Sequence, residues 1–112
     1  MGDRAQVKVM DGYSEDVAPV YLYTHWSGSE LAEIVKSALK KRWRWDDSCY
    51  LARIIFDEMT DGLHGEETGF GIDTVEHGDI HTLVTVDCLN QTVTVRAYNG
   101  EETKTFEDFI EG

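Results

Sequence analysis

The sequence predicts an α+β fold in which two helices pack on one face of a mainly antiparallel sheet, in the order β-β-α-α-β-β-β. Two helix-like patterns occupy residues 27–62, and alternating apolar and polar residues precede and follow them. The chain has 112 residues, 41% of them hydrophobic, and no Pro-, Ser- or Gly-rich linker. We therefore expect a single domain spanning residues 1–112 with a core of its own.

Two strands are expected before the helices. Residues 6–10 alternate, with Val7 and Val9 on one face. Residues 20–25 form the second strand, and large side chains on both of its faces indicate an inner strand. One face holds Val20, Leu22 and Thr24, and the other holds Tyr21, Tyr23 and His25.

Two helices follow this strand. The run SGSE at residues 27–30 matches a capping box, in which Ser27 and Glu30 would satisfy backbone N–H groups at the helix start. The cations at residues 40–42 suit the last turn of this helix, residues 46–48 begin the second helix, and Asp61 with Gly62 ends it. The apolar residues expected to face the sheet are Leu31, Ile34, Val35, Ala38 and Leu39 in the first helix and Leu51, Ile54, Ile55 and Met59 in the second.

The rest of the chain is predicted to form strands. Residues 68–75, 80–86 and 92–98 alternate, and the last two are expected to form a hairpin through residues 87–91. Residues 103–106 are predicted as a short strand or turn. Phe109 and Ile110 are then expected to pack back on the domain.

The net charge of −12 comes from residues 54–112, which carry 14 acidic side chains against Arg96 and Lys104. Such a surface repels nucleic acid and anionic membranes, so neither is expected as a partner. Adaptation to high salt, mimicry of a nucleic acid and simple solubility would each produce this charge. The sequence leaves these three causes open.

Cysteine usage and hydropathy indicate a cytoplasmic protein. Cys49 and Cys88 lack metal-type spacing and are expected to be free thiols of a reducing compartment. No leader-like pattern opens the chain, and no apolar run approaches the length that spans a membrane.

His25 closes the second strand directly before Trp26 and the expected helix start, a position where backbone donors can hold an anion. Ser27 and Ser29 follow closely, so a nucleophilic Ser–His pair is conceivable. No motif such as G-x-S-x-G supports such a pair, and a structural hydrogen-bonding role of His25 is the alternative. Tyr23 shares the strand face of His25 and completes this candidate site.

The run KKRWRWDD at residues 40–47 interleaves cations with indoles. Nucleic-acid binding uses these residue types for phosphate neutralisation and base stacking, and protein-binding patches also favour Trp and Arg. The run would also serve as an ordinary interhelical turn. Because two aspartates and an acidic second half follow, protein binding is favoured. The expected anchors of one binding surface are Trp26, Trp43, Arg44 and Trp45.

Histidines and carboxylates offer two candidates for a metal site. His77 and His81 are four residues apart, which on a helix would direct both at one metal, but Gly78 argues against a helix. His64 lies beside two glutamates in a Gly-rich segment, and nothing in the sequence fixes their geometry. We expect no metal, no cofactor and no catalytic residue.

The sequence contains five distinctive segments: YLYTHW at 21–26, GSEL at 28–31, RWDD at 44–47, YLARIIF at 50–56 and ETGFGI at 67–72. In combination they resemble a group of small proteins encoded by bacteria and their phages. That group has no established activity, so the resemblance implies a phage-related role and no particular catalytic residues.

The sequence therefore predicts a small, acidic, non-enzymatic binding module whose macromolecular partner is a protein. One version is a phage-encoded inhibitor whose carboxylates occupy a nucleic-acid groove. The alternative is a small enzyme or ligand-binding protein that uses the strand–helix junction around Tyr23, His25, Ser27 and Ser29. The sequence does not predict the oligomeric state.

Overall fold

The structure, a computed structural model, describes residues 3–14, 16–61 and 69–112. In chain order the elements are β1 (Ala5–Met10), β2 (Val20–Thr24), a 3-10 helix (Gly28–Glu30), α1 (Leu31–Leu39), α2 (Ser48–Met59), β3 (Phe70–Asp73), β4 (Thr82–Asp87), β5 (Thr92–Ala97), β6 (Gly100–Thr105) and α3 (Phe106–Glu111). The predicted α+β class is confirmed. The predicted order was incomplete, because β6 is longer than expected and the chain then enters a third helix.

The six strands form one sheet in the order β3-β2-β1-β4-β5-β6. All neighbouring strands are antiparallel except β1 and β4, which run parallel. The prediction of a mainly antiparallel sheet is therefore confirmed. β2 is bonded on both sides, by β1 and β3, as its two apolar faces indicated.

One face of the sheet and the three helices share a single apolar core. Val7 lies at its centre, opposite Leu22 on one side and Val84 on the other. The predicted helix stripes are buried except for Ile34, which is half-buried. Burial of a Val, Leu, Ile or Phe side chain contributes about 1.5–3 kcal/mol, so this layer is the main source of stability. The helix residues in the core are Leu31, Val35, Ala38, Leu39, Leu51, Ala52, Ile54, Ile55, Met59, Phe106, Phe109 and Ile110.

The predicted capping box at residues 27–30 does not form. The side chain of Ser27 makes no cap hydrogen bond, and α1 begins only at Leu31, after the 3-10 helix. The acceptors come from Asp3 instead: its carbonyl oxygen accepts from Gly28 N–H at 2.8 Å, and its Oδ2 accepts from Ser29 N–H at 2.8 Å. A remote carboxylate thus replaces the local serine, which no local sequence pattern could show.

The other predicted helix boundaries differ in part. Asp47 caps α2 as expected, because its side chain accepts from the backbone N–H of Tyr50 at 3.4 Å. α1 ends at Leu39, so the cations at residues 40–42 lie beyond its last turn. Gly62, proposed as the end of α2, lies outside the described residues.

The cysteines are free, as predicted. Cys49 is exposed and Cys88 is buried. Burial, with a smaller contribution from the nearby Asp87 carboxylate, raises the pKa of Cys88 to about 12, so this thiol stays protonated at neutral pH. None of the described helices is long and apolar enough to cross a membrane.

The second face of the sheet is covered at one end by the β3–β4 loop, residues 74–81. Gln6 in β1 is fully buried and holds this loop. Its Nε2 donates to the carbonyl oxygen of Val75 at 3.1 Å, and its Oε1 accepts from His77 N–H at 2.8 Å. Both ends of one buried amide therefore hold the loop backbone against the sheet.

Replacing Gln6 with Leu should loosen this loop. Leucine fills a similar volume with an apolar side chain, but it leaves the backbone groups of Val75 and His77 without hydrogen-bond partners. We therefore expect the free energy of unfolding to fall by about 1–3 kcal/mol. Chemical denaturation measures this loss, and amide hydrogen exchange at His77 should accelerate. Thr85→Val, on the same face of the sheet, is the matched control. Unchanged exchange at His77 would contradict the role of Gln6.

Candidate functional site

The sheet topology brings distant parts of the chain together at one end. Because β1 is antiparallel to β2 and parallel to β4, the start of β1, the end of β2 and the start of β4 lie side by side. Arg4 precedes β1, His25 follows β2, and His81 precedes β4. His81 N–H donates to the carbonyl oxygen of Arg4 at 3.0 Å, which continues the parallel pairing outward.

His25 is held in one tautomer by its neighbours. Arg4 Nε donates to His25 Nδ1 at 3.2 Å, and the hydroxyl of Tyr23 lies 3.3 Å from the same nitrogen. Because arginine can only donate, His25 Nδ1 must carry a lone pair, so the imidazole is neutral with its proton on Nε2. His25 also meets the ring of Trp26 edge-on, with centroids 5.0 Å apart.

His77 joins the same cluster from the β3–β4 loop. Its ring stacks on Tyr23 with centroids 4.8 Å apart. Its Nε2 lies 2.5 Å from Asp73 Oδ2, and its Nδ1 lies 3.9 Å from Asp79 Oδ1. Asp79 in turn forms an ion pair with Arg4. The six residues form a closed set of contacts, which we call the junction network: Arg4, Tyr23, His25, Asp73, His77 and Asp79.

The indole of Trp26 lies beside this network and packs against the backbone of Gly69. Gly69 has a φ of +81°, and a Cβ there would lie 2.5 Å from carbons of the Trp26 indole. The carbonyl oxygen of Gly69 accepts from His25 N–H at 2.9 Å. The glycine therefore allows the indole to approach the backbone, and Trp26 remains 62% exposed.

The proposed Ser–His pair is not formed. Within the described residues, the side-chain hydrogen bonds of His25 go to Arg4 and Tyr23, and none goes to Ser27 or Ser29. Sequence reasoning found Tyr23 and His25 but missed Arg4, Asp73 and Asp79. No local pattern marks those residues, because only the strand register brings them to His25.

The histidine pair proposed as metal ligands is divided between two partners. His77 lies between Asp73 and Asp79, whereas His81 Nε2 pairs with Asp3. In the described ranges, no group of three or more His, Cys, Asp or Glu side chains could hold a metal ion. His64, Glu66 and Glu67, the other candidate, lie outside the described residues.

The connection between α1 and α2 presents an exposed aromatic surface. Trp43 is 60% exposed and Tyr50 is 48% exposed. The Arg44 guanidinium lies 4.6 Å from the Tyr50 ring centroid, and Lys41 Nζ lies 5.6 Å from that of Trp43. We call Trp43, Arg44 and Tyr50 the loop surface.

Residues of α3 contact and support the connection between α1 and α2. Arg42 forms a two-point ion pair with Glu107, with nitrogen–oxygen distances of 2.5 and 2.9 Å. Trp45 is half-buried, meets Phe106 edge-on at 5.1 Å, and donates from Nε1 to the carbonyl oxygen of Leu39 at 3.1 Å. Trp45 therefore packs against the core, and the helix that the sequence did not predict supports the loop surface.

The predicted site residues fall into two groups. Tyr23, His25 and Trp26 precede α1, whereas Trp43, Arg44 and Trp45 follow it. α1, a nine-residue helix about 13.5 Å long, lies between the two groups in the chain.

No protein-family model, curated protein or solved structure matches this chain. The function must therefore be inferred from the geometry of these two groups.

Acid should weaken the junction network through Asp73. Hydrogen bonds from His77 and from the backbone N–H of Thr74 hold the pKa of Asp73 below its ordinary value of 3.8. A carboxylate with a lowered folded-state pKa stabilises the fold above pH 3.8, and this contribution is lost as the pH falls through the folded-state pKa. Urea unfolding between about pH 5 and pH 3 should therefore show a steeper loss of stability in the wild type than in Asp73→Asn.

The matched control for this acid series is Asp61→Asn, because Asp61 is an exposed aspartate beyond the end of α2. Its pH profile should follow the wild type. If Asp73→Asn and the wild type lost stability in parallel, the ionised form of Asp73 would have no preferential role in the folded state.

Proposed function

We propose that this chain is a binding module that docks on a protein partner through its loop surface. The observation that carries the proposal is an exposed tryptophan between two strained residues. Arg42 and Arg44 have φ values of +59° and +58°, in the left-handed region that non-glycine residues rarely adopt. Such a conformation costs on the order of 1–3 kcal/mol per residue and persists only where the surroundings enforce it.

The strained backbone at Arg42 and Arg44 does not bury Trp43, the residue between them. Trp43 remains 60% exposed, whereas the bracing contacts are made by Arg42 and Trp45. The fold thus uses an exposed ion pair at Arg42 and the half-buried indole of Trp45 to hold the ring of Trp43 in solvent, which is the arrangement expected of an anchor for a partner.

The chemistry of the loop surface supports a protein partner. Trp, Tyr and Arg are the residue types that dominate binding energy at protein interfaces. Arg44 is stacked on Tyr50 and Lys41 lies over Trp43, so these side chains are partly ordered before binding. Less side-chain entropy is then lost in the complex.

The net negative charge of the chain favours a partner with basic regions. Lys41 and Arg42 are paired with Glu58 and Glu107, so they contribute little net charge. The acidic residues after residue 54 would steer basic regions of a partner toward the module. The resemblance to small bacterial and phage-encoded proteins favours a cytoplasmic, phage-related target, including an inhibitor role at a nucleic-acid groove.

The second candidate function is ligand binding or a reaction at the junction network. The favouring observation is the fixed neutral tautomer of His25, which directs an Nε2–H donor away from Arg4, beside the exposed indole of Trp26. A fixed donor beside an aromatic face is suited to a small polar ligand.

A photo-cross-linking amino acid at position 43 should capture the partner directly. After irradiation in a lysate of the source cells, we expect an adduct with one protein, because Trp43 would lie in the interface. Excess wild-type chain should compete for the adduct, and excess chain carrying both Trp43→Ala and Arg44→Ala should compete at least about thirtyfold less well. Mass spectrometry identifies the adduct.

The matched control places the cross-linker at position 98, because Tyr98 is an aromatic residue with 96% exposure outside the loop surface. This position should not yield the same adduct. Equal adducts from both positions, or equal competition by the double variant, would reject the loop surface as the contact site.

His25→Ala separates the two candidate functions. The variant loses its contacts with Arg4 and Tyr23, worth about 1 kcal/mol, so the melting temperature should fall by about 4–8 °C. If the loop surface is the contact site, cross-linking from position 43 should be unchanged in this variant. Loss of the adduct from a folded His25→Ala chain would transfer the function to the junction network.

A further inference from the structure

Strand β6 forms one edge of the sheet, and the backbone of its outer side is open to pairing. Among the described residues, β6 is hydrogen-bonded only to β5. Its residues are exposed except for Lys104, which is half-buried. The chain then enters α3, whose Phe106 lies in the core, so this helix turns into the helix layer. The unpaired N–H and C=O groups of such an edge are a template for another strand.

One hydrogen bond at the end of β6 shows which backbone groups point outward. Phe106 N–H donates to the carbonyl oxygen of Gln91 at 2.7 Å, and these two residues continue the β5–β6 register. In an antiparallel ladder, hydrogen-bonded pairs alternate with pairs that are not hydrogen-bonded. The even-numbered residues of β6 therefore bond to β5. The N–H and C=O groups of Glu101, Thr103 and Thr105 point toward the free edge.

The side chains of β6 place two opposite charges on one face of this edge. Glu102 lies on the helix-covered face, because its partner in β5 is Val95, and Lys104 follows on the same face two residues later. Neither forms an ion pair with another residue that the structure describes. Thr103, between them, lies on the opposite face. The edge therefore carries an anion and a cation that have no partner within the chain.

We propose that β6 pairs antiparallel with β6 of a second copy of this chain, with Thr103 of each copy opposite the other across a two-fold axis. Glu102 of each copy then lies opposite Lys104 of the other. These pairs are not hydrogen-bonded, and side chains approach most closely in such pairs. Backbone hydrogen bonds form between the two Thr103 residues and between Glu101 and Thr105. The strand is thus complementary to itself, as a two-fold interface requires.

The charges of β6 also disfavour the neighbouring registers. A shift of two residues in one direction places Glu102 opposite Glu102, and the same shift in the other direction places Lys104 opposite Lys104. Like charges directly opposite each other are destabilising. A shift of one residue is excluded, because it would place opposite faces of the two strands together. Charged side chains generally prevent an edge strand from pairing with other chains. In β6 their order favours one register with a second copy.

Sedimentation equilibrium of the full chain tests the pairing. We expect a monomer–dimer equilibrium at concentrations up to about 1 mM, because the contact of two edge strands is small. Thr103→Pro removes the N–H donor at the axis and leaves the hydrogen bonds to β5 intact. It should weaken dimerisation at least about tenfold while the circular dichroism spectrum stays that of the wild type. A wild-type chain that remains monomeric over this range would overturn the proposal.

Two charge variants test the register. Glu102→Lys and Lys104→Glu each place like charges opposite each other, so each variant alone should dimerise at least about tenfold more weakly. An equimolar mixture of the two should form a heterodimer, because positions 102 and 104 are then both cationic in one chain and both anionic in the other. Asp61→Lys makes the same change in net charge as Glu102→Lys at an exposed residue outside β6, and should dimerise like the wild type.

An engineered disulfide locates the axis. In a Cys49→Ser background, which removes the exposed native thiol, Thr103→Cys should form an interchain disulfide under mild oxidation. The Cα atoms of a hydrogen-bonded pair are about 5.5 Å apart, which a disulfide can span. Glu101→Cys, on the same edge, should not form one, because position 101 lies opposite position 105 of the second copy.

Equal disulfide formation at positions 101 and 103 would overturn the proposal. So would unchanged dimerisation of both charge variants, or a mixture of them that dimerises no better than either alone. The edge of β6 shares no residue with the loop surface or the junction network, so none of these results depends on the protein-binding function.

Discussion

Strand β1 is the constraint on which the rest of the structure depends. It is hydrogen-bonded on both sides, antiparallel to β2 and parallel to β4. It is also buried on both faces: Val7 lies in the helix-covered core, and Gln6 lies under the β3–β4 loop, each with no exposed surface. Because this strand is central, the residues just before it are carried to the end of the sheet where β2 ends and β4 begins.

Both polar assemblies at that end follow from the position of β1. Arg4 reaches His25 and Asp79, while Asp3 reaches His81 and the backbone of the 3-10 helix. Two consecutive residues thus hold two separate networks. The buried amide of Gln6 completes the arrangement by fixing the loop that carries His77.

The loop surface depends on a different support, the short C-terminal helix. Phe106 packs against Trp45, and Glu107 pairs with Arg42. This ion pair raises the pKa of Arg42 and lowers that of Glu107, so both groups stay charged. The pair is exposed to solvent and adds little to stability, and its two-point geometry orients the Arg42 side chain over α3.

The charge of the chain is also organised by pairing. Among residues 3–14, 16–61 and 69–112, six of the ten Lys and Arg side chains form ion pairs with carboxylates: Arg4, Lys36, Lys41, Arg42, Arg53 and Arg96. The unpaired carboxylates therefore determine the field around the molecule. Arg44 differs from these six, because its guanidinium lies over the ring of Tyr50 and remains exposed at the loop surface.

The sequence by itself determined the class of fold, the buried stripes of α1 and α2, and a helix start at residues 46–48. These features depend on periodicity and on contacts between residues close in the chain, which local patterns record. Only the tertiary structure decided that Asp3 replaces Ser27 at the helix start and that Arg4 and Asp79 join the network around His25. Those outcomes depend on strand register and on contacts across many residues, and residue types alone do not encode which distant partners will meet.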